Sequence, residues 1–395
     1  MEARHPLRTV AVFPEPTPYR APLFDRIADR DDVDLLVLYA ARTVARRTWE
    51  VPLGHPHRVL RGVRVPGLAG ILRHDYPVTP GVWRELRRSQ PDCVVVSGWS
   101  TFPAQAAVVW CRARRIPYVL VVESHDRDPR PGWRRVIKGA AVPRLVRGAA
   151  GVLVTGSLAR ESMLARGARP EDVGVFANTV DVPRLVALAD ALADRRPALR
   201  RSFGLAAGDV AVLCAARLAP EKGLDILVDA LARLGDGRLV LLLAGEGPER
   251  RALERRAADR GVRAVLTGEL PPARLAEAYV AADVFALLSL HEPWAVVVNE
   301  AAACGLPLVL SERVGAAHDL LRSGMNGELV AAGDVDAAAR AIGRLAADDE
   351  ARRQAGRRSR ALVESWGYEA SVESFVRAVR RAAARSLGSG SGASG

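Results

Sequence analysis

The chain has 395 residues, 49% hydrophobic and 26% charged, the composition of packed globular domains; at about 150 residues per domain the length predicts two or three. Its net charge of +12 raises nucleic acid as a partner, but 55 of the 57 basic residues are arginine in a chain rich in Ala, Val and Leu, which reads as compositional drift on solvated faces. No basic tail, zinc-finger spacing or aromatic–basic stripe supports nucleic acid, and Cys93, Cys111, Cys214 and Cys304, none in a C-x-x-C pair, argue for buried thiols in a reducing cytoplasm over a disulfide framework or a zinc site.

The N-terminus, MEARHPLRTVAVF, leads into a strand and carries no signal-peptide pattern. No apolar run reaches the roughly 18 residues of a membrane span, so the expectation is a soluble, cytoplasmic protein. Nearly continuous apolar runs of strand length follow at 9–13, 34–39, 93–97, 118–122 and 151–155. Between the last two, 130–148 contains no acid and mixes arginines with Trp133, Ile137 and Leu145. It reads as a candidate membrane-surface helix for a lipid-linked acceptor, with a solvated face as the plainer alternative.

A second series of runs lies at 210–214, 238–244, 264–267, 284–289 and 307–311. Segments of helical period separate the runs. Strands apolar throughout are parallel strands covered on both faces, so the alternation predicts α/β architecture. The break at 178–207 divides the strands into two groups, which suits two open twisted sheets better than one. The expected organisation is two Rossmann-like, doubly wound domains, 1–182 and 183–367, facing across a cleft at the carboxyl ends of their strands. A helix over 368–386 is expected to pack back on the first domain, and the Gly/Ser end 387–395 to be flexible.

Familiar nucleotide and hydrolase signatures fail. In AGEGPER, Arg250 stands where a third glycine would complete G-x-G-x-x-G. His291-Glu292 is followed by Pro293 and Trp294, without a second histidine at helical spacing, so no metal site is expected. Two strand-to-helix junctions survive. After the run ending at Cys214, Arg217 and Lys222 sit in a loop with Pro220 and Gly223, where two cations would meet a phosphate-bearing ligand; a solvated turn is the alternative. In HEPWAVVVNE, 291–300, Pro293 suits the first turn of a helix, which places Glu292 at its N-terminus and Glu300 about two turns inside. The amides of Trp294, Ala295 and Val296 would then form an anion site, and the carboxylates would accept from neighbouring sugar hydroxyls; a dipole-complementing Glu292 and a surface Glu300 are the alternative.

The stretch S-x-H-E-P-W-A-V-V-V-N-E-A-A-A-C-G-L-P-L-V from Ser289, with its E-x7-E pair, resembles the retaining glycosyltransferases of family 4, the glycosyl transferases group 1, which have the GT-B fold. Arg217, Lys222 and Gly223, AGEGPER, LTGEL and ANTVDV at 177–182 fall in the family's order. The resemblance implies transfer of a sugar from a nucleotide-diphosphate donor to an acceptor hydroxyl with retention of configuration. The acceptor would be a small molecule, a glycan or a lipid-linked sugar, and neither cofactor nor metal would be needed. It implies that Arg217 and Lys222 hold the donor diphosphate, Glu292 the transferred sugar and Glu300 the ribose, with loop amides at Trp294, Ala295 and Val296, and that His125 is the active-site histidine. Tyr19 and Arg20 are candidates for the acceptor side. Pro293, Trp294 and Ala295 depart from the family's glycine-rich turn, and Ala295 stands where backbone approaches the sugar. A sugar-nucleotide epimerase and a non-catalytic nucleotide-binding partner remain alternatives.

Overall fold

A computed structural model describes residues 5–43, 51–64, 76–125, 139 and 142–390. The chain forms two compact units, Met1–Asn178 with Glu369–Gly395, and Thr179–Tyr368.

The first unit holds a seven-stranded parallel sheet: β1 (Leu7–Phe13), β2 (Val33–Tyr39), β3 (His57–Val59), β4 (Cys93–Ser97), β5 (Tyr118–Val122), β6 (Gly151–Val154) and β7 (Val173–Val175), in the order β3-β2-β1-β4-β5-β6-β7. The second unit holds a six-stranded parallel sheet: β8 (Val210–Ala215), β9 (Leu239–Ala244), β10 (Arg263–Gly268), β11 (Val284–Leu287), β12 (Leu308–Ser311) and β13 (Gly327–Val330), in the order β10-β9-β8-β11-β12-β13. Every residue of β8, β9, β11 and β12 is buried, as continuous apolar runs require when helices cover both faces. The registers Val284↔Val212 and Phe285↔Leu213 set β11 directly beside β8.

The sequence reading misses β3, β7 and β13. These edge strands have three or four residues, and β3 is exposed along its whole length, so none makes an apolar run.

The units divide at Thr179 rather than after Val182. Asp181 caps the helix Val182–Leu192 by accepting from the Arg184 amide at 3.2 Å, and Ala189 and Leu192 of that helix are buried in the second core. The last helix, Tyr368–Gly390, belongs to the first unit from Glu369 onward: Phe375 packs on Phe176 (5.4 Å between centroids) and Phe24 (6.5 Å), and Ser371 Oγ accepts from the Ala177 amide at 3.2 Å. That helix includes 387–390, which the composition assigns to a flexible end. Among the described residues no helix is long and apolar enough to cross a membrane. The candidate membrane segment 130–148 lies mostly outside the described residues, which in that stretch are 139 and 142–148.

Candidate active site

In the second sheet the strand order reverses between β8 and β11. Open α/β sheets place their ligand crevice outside the carboxyl ends of the strands at such a reversal. Both motifs singled out above are in the loops that follow these two strands. After β8 the chain makes a short turn, Pro220–Lys222, and Gly223 enters the next helix at φ +61°. A Cβ on Gly223 would lie 2.3 Å from the Leu288 carbonyl oxygen, so only glycine permits this approach to the loop after β11. The Leu290 amide donates to the Glu221 carbonyl at 2.9 Å and ties the two loops together.

Lys222 Nζ donates to Glu292 Oε2, and both side chains are largely buried. Arg217 pairs with Glu221 four residues on and stays half exposed. The next loop, after β9, supports this one: the Leu218 amide donates to the Glu246 carbonyl at 2.9 Å, and a Cβ on Gly247 would meet the Leu218 carbonyl at 2.2 Å. Arg217, Lys222 and Glu292 are thus brought to one place, and Glu221, absent from the sequence-based set, joins them. Its place in the same short loop as Arg217 and Lys222 was the available signal.

The helix after β11 is Val296–Ala303. Pro293 therefore lies in the loop rather than in the first turn, and Glu300 is one turn inside rather than two. Ala295 occupies the N-cap position at φ +79°, ψ +85°, with no side-chain cap. The left-handed bend of Ala295 ends the loop so sharply that the helix starts later than Pro293 suggests. The Val298 amide bonds the Ala295 carbonyl at 3.0 Å, leaving the first amides, of Val296 and Val297, at the crevice end of the helix. Ala295 is 8% exposed, and Trp294, at 3%, turns its indole into the core.

The segment after β12 braces the Glu292 loop. The Glu292 amide donates to the Arg313 carbonyl (3.2 Å), the Gly315 amide to the Glu292 carbonyl (2.9 Å) and the Ala316 amide to the Trp294 carbonyl (2.9 Å). A Cβ at Gly315 would stand 2.0 Å from the Pro293 carbonyl, which explains the glycine of VGAAHD.

Glu300 is half-buried and accepts from Tyr279 Oη at 2.8 Å. Desolvation pushes its carboxyl above the usual carboxylate range, and the Tyr279 hydrogen bond opposes that rise. Tyr279 is on the helix Pro272–Ala281, and no local pattern in the sequence links it to Glu300.

The remaining predicted residues are in the first unit. His125 follows β5 and is 4% exposed. Tyr19 is half-buried in the segment between β1 and the helix Ala21–Ala28. Arg20, expected at the acceptor side, is committed to the interior. It is 3% exposed, donates to Glu123 Oε1 at 2.9 Å and to the Phe176 carbonyl at 3.4 Å, and lies 4.5 Å from the centroid of the Phe176 ring. A guanidinium satisfied in this way serves packing and holds Glu123, whose side chain is 40% exposed.

The family descriptions that match the chain are Glycosyl transferases group 1 over residues 195–362 and Glycosyl transferase 4-like domain over 16–179. A D-inositol 3-phosphate glycosyltransferase of Xylanimonas cellulosilytica is 30% identical, covering 90% of this chain and 94% of that protein. A GDP-mannose-dependent alpha-(1-6)-phosphatidylinositol monomannoside mannosyltransferase of Mycolicibacterium smegmatis is 37% identical over 39% of this chain and 43% of its own. Among solved structures, Anabaena Alr3699/HepE in complex with UDP superposes with a TM-score of 0.72 at 20% identity, over 97% of this chain and 100% of that one. Sucrose-phosphate synthase of Thermosynechococcus elongatus gives 0.68 at 20% identity, over 95% and 98%. These two likenesses establish a shared fold, GT-B, with two parallel-sheet α/β domains. With a relative matched over nearly its whole length and both halves of the chain described by glycosyltransferase families, the chain belongs to the glycosyl transferases group 1, family 4.

Proposed function

We propose that the chain transfers a hexose from a nucleoside-diphosphate donor to an acceptor hydroxyl with retention of anomeric configuration. The observation that carries this reading is the Lys222–Glu292 pair at the strand-order reversal, with the N-terminus of the helix Val296–Ala303 beside it. A cation and free amides suit a diphosphate, and a carboxylate within reach suits the hydroxyls of the sugar attached to it. In this reading Lys222 and Arg217 hold the diphosphate. Glu292 accepts from the transferred sugar, and Glu300 accepts from the nucleoside ribose. His125 is taken as the active-site histidine on the strength of the family resemblance.

In the reaction the bond between the anomeric carbon and the diphosphate oxygen breaks, and the acceptor oxygen bonds that carbon from the same face. The acceptor proton passes to the departing diphosphate. Negative charge gathers on that diphosphate, and the fixed cations and amides stabilise it electrostatically. With Lys222 and Arg217 supplying this charge, transfer proceeds without metal or cofactor. The names of the relatives favour a polyol acceptor, a phosphorylated inositol or a glycan built on one.

The test is calorimetric titration of the protein with UDP- and GDP-sugars. The sugar that binds is then incubated with inositol phosphates in the presence of EDTA, and the product's anomeric configuration is read by NMR. Saturable binding of one donor and an axial product from an axial donor are expected. Binding of none, an inverted product or a rate abolished by EDTA would overturn the corresponding part of the reading.

A further inference from the structure

Trp294 lies between the two acids of the donor motif, yet its side chain joins a closed circuit of contacts that leads away from the crevice. Its Nε1 donates to Asn299 Oδ1 at 3.0 Å. Asn299 Nδ2 donates to Thr179 Oγ1 at 3.3 Å, and that hydroxyl donates in turn to the Trp366 carbonyl. The Trp366 ring closes the circuit, 5.2 Å from the Trp294 ring and inclined to it by 31°.

The chemistry fixes every direction in this circuit. An indole N–H only donates, so it must face the oxygen of the Asn299 amide, and the NH2 group must then face Thr179. Thr179 and Asn299 are fully buried, so each group depends on its neighbour for a partner.

The circuit also touches both places where the chain passes from one unit to the other. Thr179 is the first residue of the second unit, and Trp366 is two residues before the second passage, at Tyr368 and Glu369. One tryptophan in the donor loop is thereby bonded, through one asparagine, to the beginning and the end of the unit that carries it.

We propose that Asn299 and Thr179 are positioning residues for the donor site. Acting through Trp294, they hold the loop that carries Glu292 and Ala295 and transmit its occupancy to the connecting segments 176–182 and 366–370. The Ala295 amide and the Glu292 carboxylate are on either side of Trp294, so a ligand that settles this loop also settles the indole. The indole in turn restrains Thr179 and Trp366. This inference rests on the nucleotide-sugar reading above and assigns to it residues that touch no substrate.

The experiment compares wild type with Trp294→Phe, Asn299→Leu, Thr179→Val and Thr179→Ser. UDP and GDP serve as probes. The readouts are Kd by calorimetry, Tm without ligand, and amide hydrogen exchange with and without the nucleotide that binds. In wild type, nucleotide slows exchange in 176–182 and 366–370. Trp294→Phe keeps a ring against Trp366 but removes the N–H; it weakens nucleotide binding about tenfold and abolishes the slowing. Asn299→Leu does the same. Thr179→Val loses the slowing and Thr179→Ser, which keeps the hydroxyl, recovers it.

Nucleotide binding by wild type with unchanged exchange in both segments would overturn the proposal and leave the functional reading standing. Variants that lower Tm but keep the wild-type Kd and exchange response would reduce the circuit to packing and overturn it as well. If wild type binds neither nucleotide, the reading beneath it fails and takes the proposal with it.

Discussion

Lys222 and Glu292, 70 residues apart in sequence, form one ion pair where the strand order of the second sheet reverses. Each is the other's partner in the crevice, so the charge that would receive a diphosphate and the carboxylate that would receive a sugar are already set against each other. Replacing Lys222 by Ala removes the cation and leaves a largely buried carboxylate unpaired. Losing a charge-assisted hydrogen bond of about 1.5–3 kcal/mol predicts nucleotide-sugar affinity roughly 10- to 100-fold weaker by calorimetry. Unchanged affinity in Lys222→Ala would remove this pair from the donor site.

Ala295 sits in the left-handed region at φ +79°, where a Cβ meets the following carbonyl. Ala295→Gly relieves that contact at the cost of a more flexible unfolded chain. The net expectation is a stability gain of about 0.5–1 kcal/mol in denaturant melts. A loss of stability in the glycine variant would mean that burial of the methyl outweighs the strain.

Nucleotide affinity should depend on pH through Glu300. Burial raises its carboxyl, so as pH falls through the raised value the group becomes neutral and accepts less strongly from ribose hydroxyls. Affinity should therefore weaken on acidification. Tyr279→Phe removes the hydrogen bond that holds the carboxylate down, so the midpoint should move to higher pH. The stability linkage has the opposite sign. Because the folded state binds the extra proton, the second unit should lose stability as pH rises through the raised value. Matching affinity profiles for wild type and Tyr279→Phe would disconnect the tyrosine from the carboxylate.

In the first unit, His55 Nδ1 donates to Asp25 Oδ1 at 2.6 Å, and Nε2 accepts from the Tyr39 hydroxyl at 2.9 Å. Burial lowers the His55 pKa, while the Asp25 hydrogen bond opposes the shift. A histidine kept neutral in the fold takes up its proton more readily when unfolded. Its contribution is present above the unfolded value of about 6.5 and is lost as pH falls below it. Amides of β2 should exchange faster at pH ~5 than at pH ~7, after correction for intrinsic rates, and His55→Gln should flatten the difference. Equal pH slopes in both proteins would place the acid sensitivity elsewhere.

Much of the fold is legible in the sequence because its signals are local. A parallel strand covered on both faces must be apolar at every position, and VAVLC, RLVLLLA and PLVLS announce themselves this way. The two loops with Arg217, Lys222 and Glu292 are legible because they follow such strands directly. The edge strands are not: with few buried positions they leave no periodic trace. The burial of Arg20 is hidden for a related reason. A basic residue after the first strand suggests an exposed group, and only its packing on Phe176 and its bond to Glu123 reveal an interior one.

By itself, then, the sequence determined a two-unit parallel α/β chain and, in its second half, the two strand-to-helix loops that carry Arg217, Lys222 and Glu292, since each follows from residue type at short spacing. Only the tertiary structure decided that β8 and β11 are neighbours, that Lys222 therefore meets Glu292, that Tyr279 reaches Glu300, and that Trp294 turns inward to Asn299. Strand order and inward packing are chosen by burial and hydrogen bonding summed over the whole unit. No short window of sequence contains that sum.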